Sequence, residues 1–380
     1  MNSYSLLMLK AILIDCIPLH MPRKEADDRL EEAESLLKTY GGVVLVKKIQ
    51  KKLNPIYKTY IGTGKLEEIK EEGRKLGANI LIVNNELKPM QTYNIGEILR
   101  PVNMQVWDRI DLILKIFQKH AQTREAKLEI ELASIRHMGP RIYGMGMQLT
   151  RQGGGIGTKG KGETNLEFMK RHLSRLEDKI RQDLEACKRM RSLHRHSRER
   201  KNLKTVGIIG YTNAGKSSLL NALTTKGAYV ADELFATLDT RVGKLYDQET
   251  GREILLSDTI GFIQDLPTTL IKSFQSTLEE TVHADFLLHV IDLKDSKWEQ
   301  KISVVNQILA QIDAVDKHII YVFNKVDAID EEAFKLLKIQ LQKTYKRFSP
   351  CYVSAHNGIG LDQLKKIIYR QLTHMKIPVA

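Results

Sequence analysis

Apolar and polar positions follow two rhythms along this chain, and each change of rhythm marks an element. A continuous apolar run at Val206, Ile208 and Ile209 predicts a strand buried on both faces. After a short glycine-bearing loop, Leu219, Leu220, Ala222 and Leu223 fall at helical spacing. Shorter apolar runs recur at 254–256 and 319–323, and a last one ends at Val353, so residues 203–380 read as one α/β domain. The first part of the chain alternates in the same way. Strands are predicted at 11–17, 43–47, 80–83 and 104–107, and helices at 25–38, at 64–76 and from 108 through Phe117. An N-terminal α/β domain over 1–120 follows.

Between these two domains the rhythm becomes purely helical. Leu128, Leu132 and Ile135 line one face of a helix over 125–135, and a glycine-rich segment fills 144–162. A long helix then spans 163–201, with Leu166, Met169, Leu173, Leu176, Ile180, Cys187 and Met190 at heptad-like steps. Residues 121–202 therefore read as an antiparallel helical hairpin with the glycines at its tip, or as one amphipathic helix lying on the first domain.

Charge adds a partner to this picture. The 380 residues carry 59 Lys and Arg against 46 Asp and Glu, a net charge of +13, which suits a polyanion. The excess clusters at the end of the long helix, where Arg195, Arg198 and Arg200 are candidate RNA contacts, and at the glycine tip, where Arg151, Lys159 and Lys161 are others. The plain alternatives are a solvated helix face and a flexible linker. Residues 155–162 nearly form a phosphate loop, but Gly162 stands where Ser or Thr is needed and no strand precedes it. His194 and His196 are not spaced as a helical metal pair. The apolar stretch 5–19 carries Lys10 and Asp15 and lacks a cleavage site, so it reads as a strand and not as a secretion signal. No run is long enough to span a membrane, and Cys16, Cys187 and Cys351 show no C-x-x-C spacing. A cytoplasmic monomer without stable membrane insertion is expected.

The chemistry lies in the last domain. Gly210, Tyr211, Thr212, Asn213, Ala214, Gly215, Lys216 and Ser217, with Ser218 beside them, fill every fixed position of G-x-x-x-x-G-K-[ST] between a strand and a helix. Glycines let backbone N–H groups wrap a phosphate, Lys216 reaches the β- and γ-phosphates, and Ser217 is placed to ligate Mg²⁺. Asp258, Thr259, Ile260 and Gly261 form D-x-x-G at a strand end. Asp258 orients the Mg²⁺ shell and the Gly261 N–H senses the γ-phosphate. Asn324, Lys325, Val326 and Asp327 form N-K-x-D. Guanine offers N1–H and an amino group on one edge, so the Asp327 carboxylate accepts from both, whereas adenine has no such pair. Lys325 covers the base, Asn324 ties the loops together, and Ser354 with the Ala355 N–H meets the guanine oxygen. GTP and GDP are the expected ligands.

The order of these motifs resembles the translation-factor-related P-loop GTPases, and several segments resemble the HflX family. They include Phe235, Ala236, Thr237, Leu238 and Asp239, the stretch 258–263, Tyr60 through Lys65, Trp107-Asp108-Arg109, Glu131-Leu132-Ala133 and Gly153 through Thr158. The resemblance covers nearly the whole chain. It implies a partner in the large, 50S-type ribosomal subunit and its rRNA, in the splitting or rescue of stalled ribosomes. It also implies Thr237 as the switch threonine on Mg²⁺, with Thr240 as the alternative. The chain departs from the family pattern in two places. Thr240-Arg241 follows Asp239 at once, and Gly160-Lys161-Gly162 replaces a Gly-Pro-Gly. It also ends where some relatives continue into a further domain.

Phe262 stands where many GTPases hold a water-orienting glutamine, and a phenyl ring cannot bond water. Slow intrinsic hydrolysis stimulated by a partner is expected, with Gln264 as a displaced substitute. Asn213 sits at a loop position at which related GTPases hold K⁺. A second reading of the whole chain is a GTP-dependent switch acting on a protein or membrane partner.

Overall fold

The computed structural model describes residues 8–152, 161–224, 235, 241–246, 251, 253–264, 267, 270–271 and 275–374. The chain divides into two compact units. The first comprises residues 1–119 and 127–184, the second 120–126 and 185–380. The break expected after residue 202 therefore lies inside the second unit.

In the first unit, strands β1 (Lys10–Ile17), β2 (Val43–Lys51), β3 (Ile80–Val83) and β4 (Gln105–Asp108) form a parallel sheet in the order β2-β1-β3-β4. Parallel neighbours need crossovers. Helices α1 (Arg23–Tyr40), α2 (Thr63–Leu76) and α3 (Pro89–Leu99) supply them, and α4 (Arg109–His120) follows β4. Ala11–Ile17 is buried throughout, as expected of a strand covered on both faces. Ile12, Ile14, Leu81 and Val83 share a core cluster with Leu66 and Ile69 of α2 and Ile95 and Leu99 of α3. Helix α3 has no strong apolar rhythm. Pro89 presets its first turn, and the Gln91 side chain accepts the Lys88 N–H at 2.9 Å.

Helix α5 (Arg124–Gln152) is more than twice as long as its apolar stripe predicts and runs through Gly144 and Gly146. An interior glycine costs about 1 kcal/mol relative to alanine, too little to end a helix that is anchored elsewhere. Helix α6 spans Lys161–Arg200. Arg136 pairs with Glu177 at 3.0 Å, and Glu125 pairs with Arg191 at 3.0 Å. Stepping back along α5 matches stepping forward along α6, so the two form the antiparallel hairpin. The glycine tip at 153–160, with Lys159, lies outside the described residues; Arg151 and Lys161 fall at the facing helix ends.

The second unit holds β5 (Lys204–Gly210), β6 (Arg241–Tyr246), β7 (Glu253–Asp258), β8 (Phe286–Asp292), β9 (Ile319–Asn324) and β10 (Cys351–Tyr352) in the order β10-β9-β8-β5-β7-β6. All pairs are parallel except β6 with β7. Helices α7 (Lys216–Leu223), α8 (Gln275–His283), α9 (Trp298–Gln311), α10 (Glu331–Thr344) and α11 (Leu361–His374) accompany the sheet. Leu219, Leu220 and Leu223 of α7 join Leu364 and Ile368 of α11 in one cluster with Val206, Leu288 and Val322 of the strands. Ile302, Val305 and Leu309 of α9 and Leu278 of α8 join a second cluster with Ile209, Leu287 and Phe323. Parallel order brings the C-terminal ends of β5, β7, β8, β9 and β10 to one edge, where open α/β sheets take ligands. Among the described residues no helix is long and apolar enough to cross a membrane.

Candidate nucleotide site

The loop after β5 is built around two glycines that nothing larger can replace. Gly210 has φ +151°, and a Cβ on it would lie 2.4 Å from the Val290 carbonyl oxygen. Gly215 has φ +91°, and a Cβ there would lie 2.3 Å from Asn324 Nδ2. Between them Asn213 takes a left-handed φ of 62°. The loop thus turns tightly against β8 and β9 and delivers Lys216 and Ser217 to the first turn of α7.

Lys216 is buried and donates to its own loop, to Gly210 O at 3.2 Å and Tyr211 O at 2.9 Å. Burial pulls its ammonium down to about 8, against the opposing pull of Asp258. Ser217 Oγ donates to Asp258 Oδ2 at 2.6 Å. Asp258 is fully buried at the end of β7, and Thr259 Oγ1 donates to Ile208 O at 2.9 Å, tying the D-x-x-G turn to β5. Next along the turn, Ile260 is buried as well. The turn is closed by two backbone bonds, Thr212 N–H to Phe262 O at 2.8 Å and Phe262 N–H to Gly210 O at 3.2 Å. Gly261 lies so close that a Cβ would meet Thr212 Cγ2 at 2.7 Å.

The base-reading segments converge on the same loop. Asn324 Nδ2 donates to Ala214 O at 2.9 Å, and its Oδ1 accepts the Ala355 N–H at 3.0 Å. The Ala355 N–H, expected on a guanine oxygen, is therefore engaged by Asn324. Lys325, at φ 63°, reaches Asn213 O at 2.9 Å and Asp292 Oδ2 at 2.7 Å. Val326 N–H reaches Val353 O at 3.3 Å, and the buried Ser354 accepts the Asn357 N–H at 3.0 Å. Asp327 stands exposed on a short 3-10 turn beside them, its carboxylate toward solvent. Asp292 was not singled out from sequence; the signal was a carboxylate at the end of an apolar strand.

Phe262 and Gln264 follow directly on the D-x-x-G turn. Phe262 is buried in the core with Ile209 and Ile271, so its ring faces away from solvent as well as lacking a hydrogen bond. The Gln264 N–H donates to Tyr211 Oη at 2.7 Å, holding that segment to the phosphate loop. Of the switch residues, Phe235 is buried at φ 58°, while Ala236, Thr237, Leu238, Asp239 and Thr240 lie outside the described residues. Two of the three arginines expected at RNA on the long helix have carboxylate partners within the chain. Arg195 lies 3.7 Å from Glu279, and Arg198 holds Glu280 through both terminal nitrogens at 3.0 and 3.2 Å. These two face a helix of their own unit, because carboxylates on that helix match them; Arg200 alone of the three is exposed.

In the first unit, Asp108, Asp111 and His137 bring ligand atoms within 4.8 Å of one another. Arg141 already binds both carboxylates, at 2.6 and 2.7 Å, so a guanidinium supplies the positive charge there. Burial disfavours the His137 cation, but bonds to Asp108 and Asp111 outweigh it and push the imidazole up to about 9.

A strand, a glycine loop with Lys and Ser at a helix start, and three further loops converging on it define a P-loop GTPase. Family models agree. One described as "GTP-binding GTPase N-terminal" matches 27–118, one described as "GTP-binding GTPase Middle Region" matches 120–198, and one described as "50S ribosome-binding GTPase" matches 205–325. The chain is 43% identical to GTPase HflX of Caldanaerobacter subterraneus over 348 residues, which cover 92% of this chain and 78% of that protein. It is 37% identical to GTPase HflX of Escherichia coli, covering 92% of this chain and 80% of that protein. The chain belongs to the HflX family and is a GTP-hydrolysing enzyme. A GTP-binding protein of Sulfolobus solfataricus in complex with GDP aligns over 97% of this chain and 100% of that one, at 27% identity and a TM-score of 0.50.

Proposed function

We propose that the chain binds GTP between the 210–218 loop and the 324–327 and 354–355 segments, and hydrolyses it on the large ribosomal subunit. One observation carries the site: a single side chain, Asn324, bonds the phosphate loop and the 355 loop together. The Asp327 carboxylate reads the guanine edge, Lys325 covers the ring, and Gly261 N–H meets the γ-phosphate. The Ser217 hydroxyl and Asp258 carboxylate, 2.6 Å apart, are hard oxygen donors that fit Mg²⁺, with Thr237 as a further ligand. When bound, the ion offsets charge on the phosphate oxygens. Asn213 is exposed on the loop and is the candidate holder of K⁺.

The ribosomal role, with splitting or rescue of stalled particles, is supported by the family, by the match of 205–325 to a ribosome-binding GTPase model and by the net charge of +13. Arg200, Arg151, Lys159 and Lys161 are the charges proposed to meet rRNA. Since Phe262 cannot orient water, the partner is expected to accelerate turnover. Co-sedimentation with ribosomal subunits tests this reading. The chain should pellet with the large subunit in a non-hydrolysable GTP analogue, less so in GDP, and progressively less as salt rises. Absent or salt-insensitive association would leave a switch acting on a protein or membrane partner.

A further inference from the structure

Arg191, Arg195 and Arg198 lie against carboxylates of α8, a helix that follows the D-x-x-G segment in the chain. Arg191 lies 3.2 Å from Glu279 and also 3.0 Å from Glu125, while Arg198 and Glu280 form a two-pronged pair. Their side chains are only 12–23% exposed, well short of the solvated face that a basic run predicts. All of these groups belong to the second unit.

Helix α8 is thus held from two sides. Leu278 packs in the cluster that contains Phe262, Ile271, Ile209 and Leu287, and Thr281 is buried beside it on the same face. Glu279 and Glu280, one and two positions on, leave that face and meet the arginines. At its other end the D-x-x-G segment is fixed to the phosphate loop by the Thr212–Phe262 and Phe262–Gly210 bonds. The Gly261 N–H, whose position decides contact with a γ-phosphate, belongs to the residue before Phe262, and the Phe262 ring packs in the same cluster as Leu278 of α8.

We infer that Arg191, Arg195 and Arg198 of α6 are positioning residues for GTP hydrolysis: through Glu279 and Glu280 they set α8 and with it the D-x-x-G segment. The inference rests on the site assignment above. Buried or half-buried arginine–carboxylate pairs have a defined geometry, so α8 has one seat and not a range of them. Helix α6 is continuous from Lys161 to Arg200, so whatever holds or shifts its basic end acts on hydrolysis without touching nucleotide.

Charge reversal and charge exchange on the full chain test it, with GTP turnover at saturation, GDP affinity and thermal melting measured on each variant. Glu280→Arg should lower kcat by roughly 2- to 30-fold while GDP affinity holds. The exchanged pair, Arg198→Glu with Glu280→Arg, should recover most of the kcat loss, whereas a merely structural role would lower melting temperature and GDP affinity together with kcat. Should Glu280→Arg fail to fold, Glu280→Gln keeps the shape and removes the charge, and its kcat should fall at near-parental melting temperature. A parental kcat in the folded single variant, or a loss the exchange does not repair, overturns the inference. Lys216→Ala separates the two levels: if that variant still binds GTP tightly, the site assignment fails, whatever the arginines do.

Discussion

Asn324 and Ala214 are joined by a 2.9 Å hydrogen bond that crosses from the end of β9 to the middle of the phosphate loop. The other end of the same amide takes the Ala355 N–H. Base recognition and phosphate recognition therefore share one buried linker. Asn324→Ala strands a carbonyl and an N–H together, and such losses cost about 1–3 kcal/mol each. GTP affinity should fall by on the order of 10- to 100-fold in a fluorescent-nucleotide titration. Unchanged affinity would mean that the loops hold their own positions.

The exposed Asp327 carboxylate should choose the base. Asp327→Asn turns one acceptor into a donor, which suits the extra carbonyl of xanthine. GTP binding should weaken by roughly 100-fold and xanthosine triphosphate should become the better ligand. Competition between the two nucleotides checks it, and an unchanged preference for GTP removes the base assignment.

Restoring a glutamine at 262 should not speed the enzyme. The Phe262 side chain lies in the core with Ile209 and Ile271, so Phe262→Gln buries an amide where a ring packed. Loss of a core aromatic costs about 3–5 kcal/mol. A clear drop in melting temperature with no gain in kcat is expected, and a faster enzyme would show that the side chain reaches water.

The first unit carries a pH signature. His137 faces Asp108, Asp111 and Arg141, and its imidazole rises from 6.5 to about 9. The folded state then holds a proton that the unfolded state releases. This stabilisation is whole below pH 6.5 and fades as pH climbs through about 9. Its ceiling is about 3 kcal/mol. Melting curves of parent and His137→Gln should converge above that window and separate below it; parallel curves would refute the pairing.

Potassium should matter if Asn213 holds it. Turnover in K⁺ should exceed that in Na⁺, and Asn213→Ala should erase the difference. Equal rates in both salts would leave Asn213 a loop residue only.

Much of the site could be read before any coordinates, because its parts are contiguous in sequence. Gly210 to Ser217, Asp258 to Gly261 and Asn324 to Asp327 each carry their spacing within a few residues, and apolar runs place them at strand ends. What stayed hidden depends on pairing across the fold. Strand β6 is an edge strand whose exposed and buried positions give a weak signal, and α3 lacks an apolar stripe. Nothing local shows that Arg198 faces Glu280, 82 residues away. The length of α5 was missed because Gly144 and Gly146 read as breakers, while Arg136 and Arg141 anchor that helix to distant carboxylates. The cluster of Asp108, Asp111 and His137 is hidden for the same reason, since it forms only where α5 brings His137 to the junction of β4 and α4.

Lys216 already has two carbonyl acceptors in its own loop. A visiting anion must outcompete both before it gains the ammonium. A lone phosphate, touching the loop at one point, offers little in exchange. A polyphosphate tail whose base is docked elsewhere arrives at high local concentration and can displace them. The loop therefore discriminates against one of the two products of its own reaction, the free phosphate, which should inhibit this enzyme poorly even when abundant.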